Sequence, residues 1–224
     1  AGIDRSVRDG MDVINLSLGS DYNDPMNPIA FAINNAVLSG VTAVLAAGNA
    51  GNGMYTVGTP GNAPLGLAVG ASSVATTIAE LTGSVQFSTG KTASNIRLMA
   101  KSYTDQIQNF VGQNLPVVDV GYGAFVDYNV KDVKGKIALV QRGSITLNDK
   151  IKFAKLKGAA ALFIYNSDPK EGYVPNYLGE GVANIPTFSL TNAQGVDILQ
   201  KVKAGDTTYS FEKLGQVKTE GDKL

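Results

Sequence analysis

Two short apolar runs flank one amphipathic segment near the start of the chain, and that order narrows the choice of fold. Val13-Ile14-Asn15-Leu16-Ser17-Leu18 is closed by Gly19-Ser20, and Val41 to Ala47 forms a second run. Between them Ile29, Ile33, Ala36 and Val37 share one helical face, and Gly40 stands where a glycine closes a helix. Strand, helix and strand at this spacing predict a parallel βαβ unit, because parallel neighbours need a crossover. Leu65 to Ala71 predicts a third strand. No apolar run approaches the roughly 20 residues of a membrane-spanning helix, so no membrane span is expected.

The charge pattern divides the chain. Residues 1–90 carry two cations, Arg5 and Arg8, against six acids, whereas residues 91–224 hold the other 17 cations and 13 acids. Such a shift predicts two domains: a charge-poor part inside a larger α/β body and a smaller, wetter one. Ser, Thr and Asn crowd residues 82–95, which reads as a linker. The second part alternates as well. Strands are predicted at residues 115–120, 136–140, 160–165, 186–190 and 207–211. Asn148 is the expected cap of a helix from Asp149 to Lys157 ended by Gly158, with Ile151, Ala154 and Leu156 inward. Thr191 or Asn192 caps another through Val202, ended by Gly205.

Several chemistries are excluded by composition. The chain has no His and no Cys. It therefore supplies no Ser-His-Asp or Cys-His constellation by itself, and a structural zinc site is not expected. The formal net charge of zero argues against nucleic-acid binding, which needs a basic face. Thr89-Gly90-Lys91-Thr92 imitates the end of a phosphate-binding loop, but Val85 stands where its first glycine belongs. Gly121-Tyr122-Gly123 lacks the third glycine of a dinucleotide fingerprint, and the sequon Asn15-Leu16-Ser17 lies in a strand. Asp21, Asn23 and Asp24 complete no calcium loop and read as a solvated turn.

One string carries positive chemistry. In Ala46-Ala47-Gly48-Asn49-Ala50-Gly51 a strand runs into a turn of small residues bearing one Asn. Ala and Gly leave room for a substrate backbone, and an Asn amide at a strand end can donate to a forming oxyanion. The same string also fits an ordinary Gly/Asn turn.

The neighbouring segments choose between these. Asp9-Gly10-Met11-Asp12-Val13-Ile14-Asn15-Leu16-Ser17-Leu18-Gly19 precedes the string, and Thr56-Val57-Gly58-Thr59-Pro60-Gly61 and Leu67-Ala68-Val69-Gly70-Ala71 follow it. In this order and spacing the set resembles the middle of a subtilisin-like serine protease, a subtilase, across about residues 1–90. The resemblance implies that Ser17, Leu18 and Gly19 pair with the substrate backbone and form one wall of its specificity pocket. It implies that Ala46, Ala47 and Gly48 form the opposite wall, that Gly58 lies at the base, and that Asn49 is the catalytic oxyanion donor. Thr59–Pro60 becomes a candidate cis bond, and Asp12 a structural residue. The family's catalytic Asp, His and Ser have no counterpart here, so the chain is expected to be inactive alone.

Val133-Lys134-Gly135-Lys136-Ile137-Ala138-Leu139-Val140-Gln141-Arg142-Gly143, a Lys-rich helix, and Gly158-Ala159-Ala160-Ala161-Leu162-Phe163-Ile164-Tyr165-Asn166 resemble a protease-associated (PA) domain. Arg142 reads as a carboxylate binder or as an ion-pair partner. Subtilases of the minor extracellular and cell-wall-associated kind carry such an insert. The expected fold is thus α/β: a partial subtilisin-like parallel sheet over residues 1–94, a β-rich PA domain over residues 95–212, and a return segment over residues 213–224. The resemblance implies a central piece of a secreted, bacterial, extracellular or cell-wall-associated serine endopeptidase acting on proteins or peptides, with the PA domain selecting substrates or controlling access. It implies no cofactor in these residues and leaves calcium in the longer protein open. The alternative is a non-catalytic peptide-binding module. Inner strands without their neighbours also predict that the isolated piece self-associates, or that its first part is poorly ordered while residues 95–212 fold well.

Overall fold

The computed structural model describes residues 1–51, 53–72, 74–174 and 177–219, and these divide into two compact units at Val74/Ala75.

The first unit contains α1 (Gly2–Arg8), β1 (Val13–Leu16), α2 (Pro28–Leu38), β2 (Thr42–Ala46) and β3 (Leu67–Val69). The three strands form a parallel sheet in the order β1-β2-β3, with Val13 opposite Thr42 and Val44 opposite Leu67. The βαβ expectation thus holds. The helix starts because the Asn27 side chain accepts the Ile29 N–H and Pro28 needs no partner for a missing donor. It ends because Gly40 adopts φ +94°, which an L side chain resists. Ala30, Ile33 and Ala36 pack on Ile14, Ala43 and Leu45, the inward positions of alternating strands. The opposite face keeps Val13, Leu67 and Val69 exposed. In α1, Ile3 and Val7, four residues apart on one face, rest against the same core.

The second unit contains β4 (Thr77–Phe87), β5 (Gly90–Ala93), β6 (Ile96–Lys101), β7 (Asn114–Asp119), β8 (Ile137–Gln141), α3 (Leu147–Leu156), β9 (Ala161–Tyr165), β10 (Gly179–Glu180), β11 (Thr187–Leu190), α4 (Asn192–Ala204) and β12 (Thr208–Lys218). Among the described residues nine strands run in the order β10-β6-β11-β9-β8-β7-β12-β4-β5. A further β4–β6 pairing, Glu80 with Arg97 and Leu81 with Ile96, closes the sheet on itself as a barrel. Strands β7, β8, β9 and β11 are mutually parallel, and both faces of β8 and β9 are buried. That is why they read as continuous apolar runs. Ile137, Leu139, Ala161 and Phe163 join the core that holds Tyr209, Phe211 and Phe188. Ala138, Val140, Leu162 and Ile164 face the other core, under Ile151 and Ala154 of α3.

The structure corrects four expectations. The stretch at residues 82–95 is not a linker: it holds the end of β4 and all of β5, and β4 pairs with β12 from Thr77 to Gln86. The units therefore divide at 74/75 rather than 94/95, and residues 213–218 belong to β12 in the second unit rather than to a return segment. Thr146, not Asn148, caps α3, its hydroxyl accepting the Asp149 N–H. Finally, Leu156 is exposed while Lys150 is fully buried. The inward face of α3 is Leu147, Lys150, Ile151 and Ala154, the i, i+3, i+4, i+7 set, and Leu156 lies about 200° round the helix from Ala154.

Candidate functional site

The carboxyl ends of parallel strands are where ligands enter open α/β sheets. In the first unit the chain leaves β1 through Ser17-Leu18-Gly19-Ser20-Asp21, leaves β2 through Ala47-Gly48-Asn49, and leaves β3 through Gly70-Ala71. With Gly58 and Thr59 these exits line one cleft of about 330 Å³. Every residue singled out from the sequence lies on it: Ser17, Leu18, Gly19, Ala46, Ala47, Gly48, Asn49 and Gly58.

Backbone hydrogen bonds fix its walls. Ala47 N–H donates to Val69 O at 3.0 Å, Gly58 N–H to Ala47 O at 3.1 Å, and Ser20 N–H to Thr59 O at 2.9 Å. The Thr59–Pro60 bond is cis. Leu18 and Gly19 make no backbone hydrogen bond among the described residues, so that wall keeps donors and acceptors for an added strand. Gly48 adopts φ +99°. Gly58 is dictated by close approach: a Cβ there would lie 2.0 Å from the Ser20 carbonyl oxygen. The structure thus gives this glycine a backbone-packing reason besides the room it leaves in the cleft.

Asn49 is exposed at the end of the β2 exit, and its side-chain amide has no hydrogen-bond partner among the described residues. An unengaged amide at the rim of a cleft can donate to an incoming oxygen without first breaking an internal bond. The segment after β1 is tied down more firmly than its polar sequence implies. Asn23 Nδ2 donates to Val57 O at 2.7 Å, Thr59 N–H to Tyr22 O at 2.9 Å, and the Thr59 hydroxyl to Tyr22 O at 2.9 Å. Asp24 accepts the Met26 N–H, and among the described residues no cluster of acids could hold a metal ion. Sequence reasoning passed over Thr59, whose hydroxyl is the hub of this network; a Thr before Pro gives no such signal in one dimension.

In the second unit Arg142 is an ion-pair partner. Its Nη1 lies 2.8 Å from Glu171 Oε2 and donates to Asn166 Oδ1 at 3.2 Å. Buried Asn166 donates to the same Glu171 oxygen and to Gly172 O, so the trio pins the loop after β9. Lys150 donates to the Tyr122 carbonyl oxygen and lies 6.0 Å from the Tyr122 ring centroid. Burial brings its ammonium down to about 8, with Asp127 acting in the opposite sense.

Fold and cleft define a class that the comparisons confirm. The Subtilase family profile matches residues 1–127 and the PA domain profile residues 110–198, and the chain belongs to the subtilase family. It is 34% identical over 226 residues to the Minor extracellular protease Vpr of Bacillus subtilis (strain 168), covering 100% of this chain and 26% of that protein. It is 33% identical over 242 residues to a PI-type proteinase of Lactococcus lactis subsp. cremoris, covering 96% of this chain and 12% of that protein. Over 96 residues, 42% of this chain and 20% of the other, it is 38% identical to Aminopeptidase YwaD of Bacillus subtilis (strain 168). The chain thus spans about a quarter or less of the length of these curated relatives.

Proposed function

We propose that these residues form the substrate-binding wall, the oxyanion donor and the inserted domain of a secreted serine endopeptidase, active outside the cell or at its wall. The observation that carries the reading is the convergence on one cleft of the Ser17–Gly19 exit, the Ala46–Gly48 exit, Gly58 and the unengaged amide of Asn49. A peptide lies as an added strand against Leu18 and Gly19, its side chain enters the cleft, and its scissile carbonyl is presented near Asn49. A serine attacks that carbonyl, and a histidine takes the serine's proton. This chain has no His, so other parts of the protein supply the base. Asn49 then donates to the tetrahedral oxyanion, whose charge is greater than that of the ground-state carbonyl, so the bond strengthens in the transition state. The PA domain selects among protein substrates or limits their access.

The test is peptide-bond hydrolysis by the full-length protein, with and without a serine-directed phosphonate. Hydrolysis abolished by stoichiometric reagent, with none from residues 1–224 alone, is expected. A full-length protein that binds peptides without hydrolysing them supports the binding-module reading instead.

A further inference from the structure

We propose that Asp21 makes the cleft selective for a cationic side chain, that of Lys or Arg, at the substrate residue whose side chain enters it. The inference rests on the proteolytic reading and deepens it.

Asp21 is the single charged residue among the described residues lining the cleft; its other walls are Ser, Thr, Asn, Gly, Ala, Leu and Val. Asp21 is exposed on the cleft, and its Cα lies 3.6 Å from where a Gly58 Cβ would stand. The loop that carries it is held on both sides, by Ser20 N–H to Thr59 O and by Thr59 N–H to Tyr22 O, each 2.9 Å. The Asp21 carboxylate has no hydrogen bond or ion pair among the described residues, unlike its neighbour Asp24, which caps Met26 N–H. The only cations in residues 1–90 are Arg5 and Arg8, both on α1, and Arg5 is paired with Asp9. Neither arginine pairs with Asp21 among the described residues. A lysine or arginine fits what remains: its methylene stem lies along Leu18 and the small residues, and its head reaches the carboxylate. A charge-assisted bond of about 1.5 kcal/mol corresponds to roughly ten-fold in kcat/KM. An acidic side chain meets an unanswered like charge and is disfavoured.

The experiment uses the full-length protein and matched peptides that differ only in having Lys, Met or Glu before the scissile bond. At low salt, kcat/KM should fall in the order Lys, Met, Glu. Asp21→Asn should reduce the Lys-to-Met ratio of kcat/KM about ten-fold, and Asp21→Lys should reverse the order of Lys and Glu. Raising ionic strength should narrow the wild-type Lys-to-Met ratio. A ratio unchanged by Asp21→Asn overturns the proposal, as does a variant that loses all three substrates equally, which would make Asp21 only a loop-folding residue. Failure of the wild-type protein to cleave any of them contradicts the proteolytic reading itself.

Discussion

Lys150 is the residue whose burial most affects how stability responds to pH. It is fully buried in the second unit, with the Tyr122 carbonyl as its acceptor. Its folded value of about 8 lies below the ordinary 10.5. Between those values the unfolded chain holds a proton that the folded chain has shed, so stability rises with pH through that window. The rise is on the order of 3 kcal/mol if the whole shift is realised. Burial acts the other way on Tyr128 and Tyr209, raising both above the ordinary 10.0, so stability falls again once unfolded tyrosines ionise. Urea midpoints followed against pH should therefore climb above pH 8 and turn over near pH 10, and Lys150→Met should remove the climb. A midpoint flat from pH 8 to 10 in the wild-type chain would contradict this. The helical pattern of α3 contained the information: Lys150 falls on the same face as Ile151 and Ala154. A lysine among lysines nevertheless reads as solvated, because only the loop bearing Tyr122 makes its burial affordable. Gly195 was equally silent. A Cβ there would lie 2.0 Å from the Tyr165 ring, so the glycine that weakens helix α4 seats it on β9.

At the scale of elements, legibility followed burial on both faces. Strands β8 and β9 announce themselves because each is apolar at nearly every position. The end of β4 does not, because its composition serves contacts that the sequence hides. Gly83 leaves space for Tyr209, whose hydroxyl would lie 2.4 Å from a Cβ there, and Ser84 donates to Glu212 at 2.8 Å. Gly and Ser chosen for packing look the same as Gly and Ser chosen for a linker. The sheet of the first unit carries its own prediction. Its helix-covered face is closed by α2, while Val13 and Val69 on the other are 58% and 51% exposed. A bare apolar sheet face invites association. Residues 1–224 produced alone should therefore self-associate at micromolar concentration by light scattering. A monomer with uniform amide protection across both units would contradict this.

For the whole molecule, the sequence located the cleft better than it located the boundaries. The residues that the subtilase resemblance implies, Ser17-Leu18-Gly19, Ala46 to Asn49 and Gly58, all line one cleft, where three parallel strands end together. The loop network around Thr59 and the position of Asp21 beside Gly58 were not legible, since both depend on segments far apart in sequence meeting in space. The division at 74/75 was missed because β4 and β12, at opposite ends of the second unit, are legible as partners only once paired. Asn49 is central to the proposed chemistry: an exposed amide on that cleft with no hydrogen-bond partner among the described residues. Steady-state kinetics of Asn49→Ala in the full-length protein measure its part directly. The account predicts kcat lower by about 10²–10³ with KM little changed, because the bond strengthens in the transition state. An unchanged kcat would contradict it, and so would a loss confined to KM.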